Sequence, residues 1–410
     1  MTGTTYNPEL LAVSDRRNET YQQILREKPV HYSAALDAWI VTRYESVREI
    51  LLDTERFSAV GSIGISGFDS SPPEVRAVLA RGYARFPGII EMDPPQHKTY
   101  RNLINAAFTP RRVASLEPRF RYMAEELVNG FIEEGEGDFI PLFAFPYPMR
   151  VICAFLGIPD ADIPEIDRMS DGFRDLEAGT IFLKPTDEQV TSAQNFVDFQ
   201  HYAAALVEDR RRFPKDDLVS LMVHEELPDG RTVNTEEAIS TVIHLLFAGH
   251  ETNARLLGNL MHMLLSESGR WKMIVDHPSS VPMAVEEGLR LGPPVTYHSR
   301  TAIRTVTVDG VEIPEGGEVH LVFAAANRDP HQFGDPDQFS FERPNVKQHL
   351  GFGMGIHYCV GAPVARLESQ VALQTLASRL EGLRLKDGFT PQREPHAMLH
   401  GLRTLPLVWR

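Results

Sequence analysis

Along the 410-residue chain, apolar positions recur mostly three or four residues apart with polar positions between them. That spacing predicts helices in SVREILLDTE (46–55), HKTYRNLINAAF (97–108) and VASLEPRFRYMAEELVNGFIEEG (113–135). It predicts further helices over 186–212, 235–267 and about 360–381. Alternation with a period of two is confined to short stretches. PVHYSAALDAWIVTRY (29–44) alternates around a turn and predicts a hairpin. The stretch 299–323, punctuated by DG and EGG, predicts a β-rich patch, and LHGLRTLPLVWR at the C-terminus predicts a strand-like tail. The expected fold class is therefore mainly α with small β-sheets, the β-rich parts lying at about 28–45, 299–323 and 383–410. There is no repeat, low-complexity tract or long Pro/Gly/Ser linker, so 1–410 is expected to form a single compact domain.

The longest helical pattern carries its own start signal. Asn234 followed three residues later by Glu237 forms a capping pair. From there TEEAISTVIHLLFAGHETNARLLGNLMHMLLSE continues without proline, long enough to span roughly 45–50 Å. Its middle is apolar nearly all round and should be buried, which singles out the polar residues there: His244, His250, Glu251 and Thr252. Taken alone, Thr252 reads as a threonine bonding back to a carbonyl one turn earlier, and His244 as either a substrate contact or a satisfied core histidine. His250-Glu251 begins the zinc motif H-E-x-x-H, but the second histidine's place is held by Ala254, so a zinc protease is excluded.

Composition narrows the class without adding chemistry. Hydrophobic residues at 42% and charged residues at 24% are ordinary for a globular protein. A formal charge of −15 argues against nucleic acid or an anionic membrane as the main partner. The first forty residues show no basic-then-apolar leader, and no stretch reaches the ~18 continuous apolar residues of a spanning helix. The expected location is the cytoplasm, in solution, with no membrane contact.

Only two cysteines occur. Cys153, in MRVICAFLGIP, sits among apolar residues at helical spacing and reads as core. Cys359 lies in HLGFGMGIHYCVGAPVARLESQVALQTLASRL, where Phe352, Gly355, Cys359 and Gly361 make F-x-x-G-x-x-x-C-x-G. Glycines let this loop turn sharply. A helix beginning just after the cysteine brings its positive end to the sulfur and favours the thiolate, while Phe352 can shield it from water. Such a thiolate suits haem iron. Gly351, Gly353 and Gly355 also spell G-x-G-x-G, but no βαβ unit follows, which excludes a dinucleotide loop. A lone cysteine in a glycine-rich loop still fits a purely structural role.

The remaining motifs decide the matter. Besides the cysteine loop, the chain holds Ala248-Gly249-His250-Glu251-Thr252 as A-G-x-[D/E]-T, Glu287-Gly288-Leu289-Arg290 as E-x-x-R, and Asp93 to Arg101 as D-P-P-x-H-x-x-x-R. With these four in order, the sequence resembles the cytochrome P-450 family of the bacterial soluble type over nearly its whole length. The resemblance implies haem b with Cys359 as the iron's axial ligand, and His97, Arg101, Arg300 and His357 as partners of the propionates. It implies that Ala248 and Phe352 pack at the cofactor, that Thr252 hydrogen-bonds dioxygen during its activation, and that Glu251 helps deliver protons from a widened turn of the long helix. Glu287 and Arg290, joined by Arg343, are implied to form a structural ion-pair network.

The implied reaction is R–H + O2 + 2e⁻ + 2H⁺ → R–OH + H2O, in secondary-metabolite biosynthesis or small-molecule catabolism. The chain has no flavin domain and too few cysteines for an iron–sulfur cluster, so a ferredoxin and ferredoxin reductase are the expected electron donors to a monomeric enzyme. Lys98, Arg101, Arg111 and Arg112 form a candidate dock. By family position, substrate would meet Phe86 to Ile90, the stretch 173–183, His244, Ala248, Val295 to His298, and Leu399 to Leu402. Two alternatives stand beside this reading: a peroxide-driven enzyme on the same fold, and a non-catalytic haem-binding or recruitment protein. The Glu251-Thr252 pair speaks against both.

Overall fold

The computed structural model describes residues 6–14, 16–62, 71–177 and 184–409. In chain order its helices are α1 (Pro8–Val13), α2 (Arg17–Glu27), α3 (Tyr44–Leu52), α4 (Pro73–Leu79), α5 (Gln96–Asn105), α6 (Pro110–Ser115), α7 (Glu117–Phe131) and α8 (Pro146–Leu156). They continue as α9 (Ile163–Glu177), α10 (Thr186–Arg212), α11 (Leu218–His224), α12 (Thr235–Leu265), α13 (Arg270–Asp276), α14 (Val281–Leu291), α15 (Phe323–Ala326) and α16 (Ala362–Arg379). The strands are β1 (Val30–Ser33), β2 (Ala38–Val41), β3 (Phe57–Ser58), β4 (Glu136–Asp138), β5 (His298–Ala302), β6 (Val306–Val308), β7 (Val311–Ile313), β8 (Glu318–Leu321), β9 (Arg384–Leu385) and β10 (Pro406–Val408). The mainly α reading with small sheets holds.

Residue contacts sort the chain into two compact units, each assembled from separated stretches. The first comprises residues 1–59, 113–147 and 252–410, and the second 60–112 and 148–251. The expectation of a single domain over 1–410 had no linker to set against it, and no linker separates these units. The boundary passes through α12, between Glu251 and Thr252, where the helix itself is unbroken.

Every named strand lies in the first unit. Its largest sheet has the order β1-β2-β8-β5-β3. The β1–β2 pair is the hairpin predicted at 29–44, with Val30 opposite Val41. β8 then pairs parallel to β2 and antiparallel to β5. The patch predicted at 299–323 thus divides between two sheets, because β6 and β7 form a separate hairpin. Their turn is the DG signal: Asp309 and Gly310 both take positive φ, 49° and 78°, the conformation a tight two-residue hairpin demands. The C-terminal tail joins β4 and β9 through β10. Val30, Val41, Val47, Ile50, Phe57, Val319, Leu321 and Phe333 bury the inner face of the main sheet beneath α3.

One expected helix is two. The stretch 113–135 breaks at Leu116, and α7 starts at Glu117 with Pro118 in its first turn. Proline lacks an N–H and is tolerated there, whereas inside a continuous helix it would remove a bond and clash.

A buried ion pair pins the first unit. Glu287 is fully enclosed and accepts from Arg290 Nε at 2.7 Å and Nη2 at 2.8 Å, and from Arg343 Nε at 3.0 Å. Arg290 also donates to the carbonyls of Asn327 and Gln338. The E-x-x-R motif and its arginine partner are brought together as the sequence implied.

The second unit is helical. α9 and α10 pack so closely that a Cβ on Gly172 would stand 2.4 Å from the Ser192 carbonyl oxygen and 2.6 Å from the Phe196 nitrogen. Only glycine permits that approach.

Candidate active site

The predicted site residues fall into two groups, one in each unit. In the first unit, Cys359 is half-buried and stands three residues before α16. Its N–H donates to the Phe352 carbonyl at 2.9 Å, and its own carbonyl accepts from the Ala362 N–H at 3.3 Å. The loop therefore folds back on itself and hands the chain directly into the helix. Of its glycines, Gly355 is the most tightly constrained. Its φ is +73°, and a Cβ there would meet the Leu51 carbonyl oxygen at 2.6 Å. Gly353 also takes positive φ, 67°. A Cβ on Gly361 would make only ordinary contact with Cys359 Sγ, at 3.8 Å.

What fixes the loop was invisible as a motif. Glu286, one residue before the E-x-x-R run, accepts from Arg366 Nε at 2.6 Å and Nη2 at 3.0 Å. It also pairs with His349 Nε2 at 3.1 Å. His349 Nδ1 accepts from the Gly351 N–H at 3.0 Å, so its Nε2 carries the proton given to Glu286. Burial alone would raise the Glu286 carboxyl; the hydrogen bonds from His349 and Arg366 outweigh it and hold the group at about 2. Arg366 meanwhile lies over the Phe352 ring, 4.6 Å from its centroid, and donates to the Tyr358 hydroxyl at 2.9 Å. One carboxylate thus ties the start of the loop, its phenylalanine and the helix after its cysteine. The clue available in the sequence was a charged pair flanking two known motifs.

Arg300 is on β5, 6% exposed, and donates to the Ser299 carbonyl at 2.7 Å. His357 ends a 3-10 turn at 355–357 and is half-buried. Thr252 is half-buried, and its neighbour Asn253 accepts from Ser369 on α16 at 3.2 Å. Two of the expected substrate segments meet here as well: Val295 bridges Leu399, and the Thr296 N–H donates to the Met398 carbonyl at 2.9 Å. Leu399 and Leu402 turn their side chains into the core, at 3% and 5% exposed.

In the second unit, His97 and Arg101 stand one turn apart on α5, the first buried and the second half-buried and bonded to Asn105 at 3.1 Å. Lys98 and Arg111 are exposed, while Arg112 is drawn into an ion pair with Asp216 at 2.9 Å. The capping pair of α12 is reciprocal, Asn234 N–H to Glu237 at 2.8 Å and Glu237 N–H to Asn234 at 2.9 Å. Glu237 is bonded further by Arg231 and by the Tyr100 hydroxyl at 2.8 Å.

The middle of α12 differs from expectation in one respect. The resemblance implied a widened turn, but the helix is α-helical throughout 235–265. Gly249 is explained by packing instead: a Cβ there would come within 2.8 Å of Ile152 on α8. Ala248 is exposed while Leu245, Leu246, Phe247 and His250 around it are buried, which leaves one open stripe on an otherwise enclosed helix. Glu251 is 4% exposed, and Arg174 of α9 pairs with it at 2.5 Å. Arg174 also holds Asp171.

His244 lies in a cavity of about 220 Å³ lined by Phe86, Phe173, Leu176, Phe196, Ile239 and Ile243 among others. Its Nδ1–H donates to the Ser240 carbonyl at 2.7 Å, and burial pushes its pKa down, so the ring is neutral. The Ser240 hydroxyl donates to the Phe86 carbonyl at 2.6 Å, which brings the expected segment 86–90 onto α12. Phe173 meets His244 edge-on. The rest of the expected stretch, 178–183, lies outside the described residues.

Each unit, taken by itself, offers groups of the kind a haem requires. The first offers an accessible thiol at a helix start and the buried cation of Arg300; the second offers His97, Arg101 and the open stripe at Ala248.

A loop-borne thiol before a helix, with an acid–threonine pair on a long central helix, defines a haem-thiolate enzyme. Comparison with known proteins agrees. The family model described as Cytochrome P450 matches residues 275–402. The mycinamicin IV hydroxylase/epoxidase of Micromonospora griseorubida is 38% identical over 91% of this chain and 90% of its own length. The monooxygenase PikC of Streptomyces venezuelae is 32% identical over 100% and 96%. The solved cytochrome P450 CREJ, in complex with (4-ethylphenyl) dihydrogen phosphate, superposes at a TM-score of 0.90 with 26% identity, covering 100% of both chains. The chain belongs to the cytochrome P450 family and is a haem monooxygenase, using iron protoporphyrin IX, a redox partner, dioxygen and an organic substrate. Among the described residues no helix is long and apolar enough to cross a membrane.

Proposed function

We propose that this enzyme hydroxylates a medium-sized, largely apolar secondary metabolite, with electrons from a ferredoxin and its reductase. The cavity beside His244 carries this reading: three phenylalanines and four leucine or isoleucine side chains line it, with His244, Ser240, Gln200 and Arg85 as polar points, the composition of a site for an organic molecule. Its 220 Å³ would take one edge of a macrolactone, and the relatives' names give mycinamicin IV and erythromycin as the compounds acted on. Residues 1–410 act as one catalytic domain in this reading, since the boundary between units falls inside a continuous helix.

Haem, when bound, supplies the oxidising chemistry on dioxygen. The chain's part is to hold it and to manage protons. Cys359 provides the thiolate, and the Glu286–Arg366–Phe352 contacts keep its loop from shifting. His97, Arg101, Arg300 and His357 offer cationic or hydrogen-bonding partners to the propionates, whose burial demands them. Ala248 leaves room at the ring face. Glu251 and Thr252 hold and pass protons along α12, with Arg174 paired to Glu251. Lys98, Arg101 and Arg111 give an acidic ferredoxin a place to dock, in a cytoplasmic monomer.

Two measurements test this. The reduced, CO-bound enzyme should show the Soret position of thiolate ligation; an imidazole-type position refutes Cys359 as ligand. A panel of macrolactones and similarly sized neutral metabolites, scored by the spin-state change on binding, should yield substrates turned over with ferredoxin and reductase. Turnover with peroxide alone, and none with a redox partner, overturns the reading.

A further inference from the structure

The buried arginines of the first unit are, with one exception, answered by carboxylates or carbonyls. Arg290 and Arg343 share Glu287. Arg328 has Asp337 at 2.6 Å and the Leu291 carbonyl at 2.6 Å. Arg300 has the Ser299 carbonyl. Arg17 is the exception. It is 9% exposed, its Nη1 is enclosed without a partner, and among the described residues it makes no hydrogen bond or ion pair. A buried cation left unanswered is costly.

Its surroundings deepen the imbalance. Arg17 is the first residue of α2, whose N-cap position, Arg16, provides no side-chain cap, so the helix adds its positive end to the same place. Burial, with Arg393 and Arg328 adding to it, pushes the Arg17 guanidinium down to about 9. The opposing influence comes from the Tyr21 hydroxyl, one turn further along α2. Gln22 donates to the Arg328 carbonyl at 2.9 Å, which fixes α2 against that arginine. Beside Tyr21, in the same core cluster, the Tyr6 hydroxyl is fully enclosed and also lacks a partner.

We infer that Arg17 forms an anion-binding site at the start of α2 that takes a small oxyanion, a carboxylate or phosphate group. The planar guanidinium fork matches such a group through two parallel bonds, and a helix start adds its dipole. The oxyanion is either a free ion or the acidic group of an organic ligand.

The test uses the full-length haem-loaded protein. Thermal midpoints are followed against potassium phosphate, with potassium chloride matching ionic strength, for wild type, Arg17→Met and Arg17→Lys. Wild type should gain a few degrees saturably, as linkage requires. Arg17→Lys should keep part of the gain and Arg17→Met none. Without phosphate, Arg17→Met should be at least as stable as wild type, since it removes an unanswered buried charge. Equal phosphate responses in wild type and Arg17→Met overturn the site. So does a less stable Arg17→Met in phosphate-free buffer, which would reveal an internal partner. Arg17→Gln, which also removes the charge, should reproduce the Arg17→Met result, and a phosphate gain in it equal to wild type overturns the site as well.

A second arm identifies the source. Carboxylic acids and their methyl esters are compared by spin-state shift. If the anion belongs to the ligand, wild type should prefer the acid by about tenfold, and Arg17→Met should lose that preference. Equal binding of acid and ester, with the thermal gain intact, assigns the site to a free ion. This arm alone rests on the proposed oxidation: absence of any spectral shift counts against that reading, while the phosphate response judges the anion site.

Discussion

The two cysteines differ in everything but their chemistry as free amino acids. Cys153 is wholly buried on α8, where its thiol meets the Met149 sulfur at 3.9 Å. Burial, with Asp160 and Asp162 nearby, pushes that thiol up to about 12. Cys359 is accessible, sits in a turn made possible by left-handed glycines, and faces the start of a helix. Reactivity is a property of place: an apolar helix interior suppresses the thiolate, and a glycine turn at a helix start favours it.

The largest expected effect comes from exchanging the ligand. Cys359→Ser should abolish the thiolate-type band of the reduced, CO-bound protein and reduce redox-partner-driven turnover to background. Retention of that band in the variant would break the contrast. Next in size is the frame that carries the loop. Glu287→Ala strands two buried arginines and should cost about 3–5 kcal/mol in urea denaturation; a negligible loss would show the pair to be dispensable.

The third prediction concerns pH. Because the folded Glu286 carboxyl lies at about 2, below its unfolded value of ~4.3, its contribution is fully present above the unfolded value. That contribution fades as pH falls through the folded one. Glu286→Gln should therefore lower the unfolding free energy from urea denaturation at neutral pH by about 1–3 kcal/mol, with the gap closing toward pH 2. A gap that stays constant across that range would separate Glu286 from the loop's stability. Smallest is Cys153→Ala, expected to cost about 1 kcal/mol and to leave the CO spectrum unchanged; an altered spectrum would give Cys153 a role its burial denies.

Local signals proved readable. The span 186–212 is α10 from end to end, and Asn234 and Glu237 cap α12 as their spacing required. Asp309-Gly310 turns a hairpin because those residues tolerate positive φ. The signals that escaped reading join distant positions. Arg174 and Glu251 are 77 residues apart, and Glu286 and Arg366 80. Neither pair has a spacing that periodicity can register, since packing of separate helices decides which charges meet. Gly249 shows the converse: its motif was legible, yet its reason is Ile152 on another helix rather than a widened turn. The cysteine loop was therefore readable from one segment, while the contacts that steady it required the fold.

Three consecutive residues of α9 set a limit on anyone redesigning this enzyme. Gly172 is the seam where α9 and α10 touch backbone to backbone, Phe173 is a wall of the cavity, and Arg174 is the clamp on Glu251. The wall thus has a seam on one side and a clamp on the other, both already committed to contacts of their own. A screen of Phe173 variants for bulkier ligands should therefore score retention of the Arg174–Glu251 pair as well as binding.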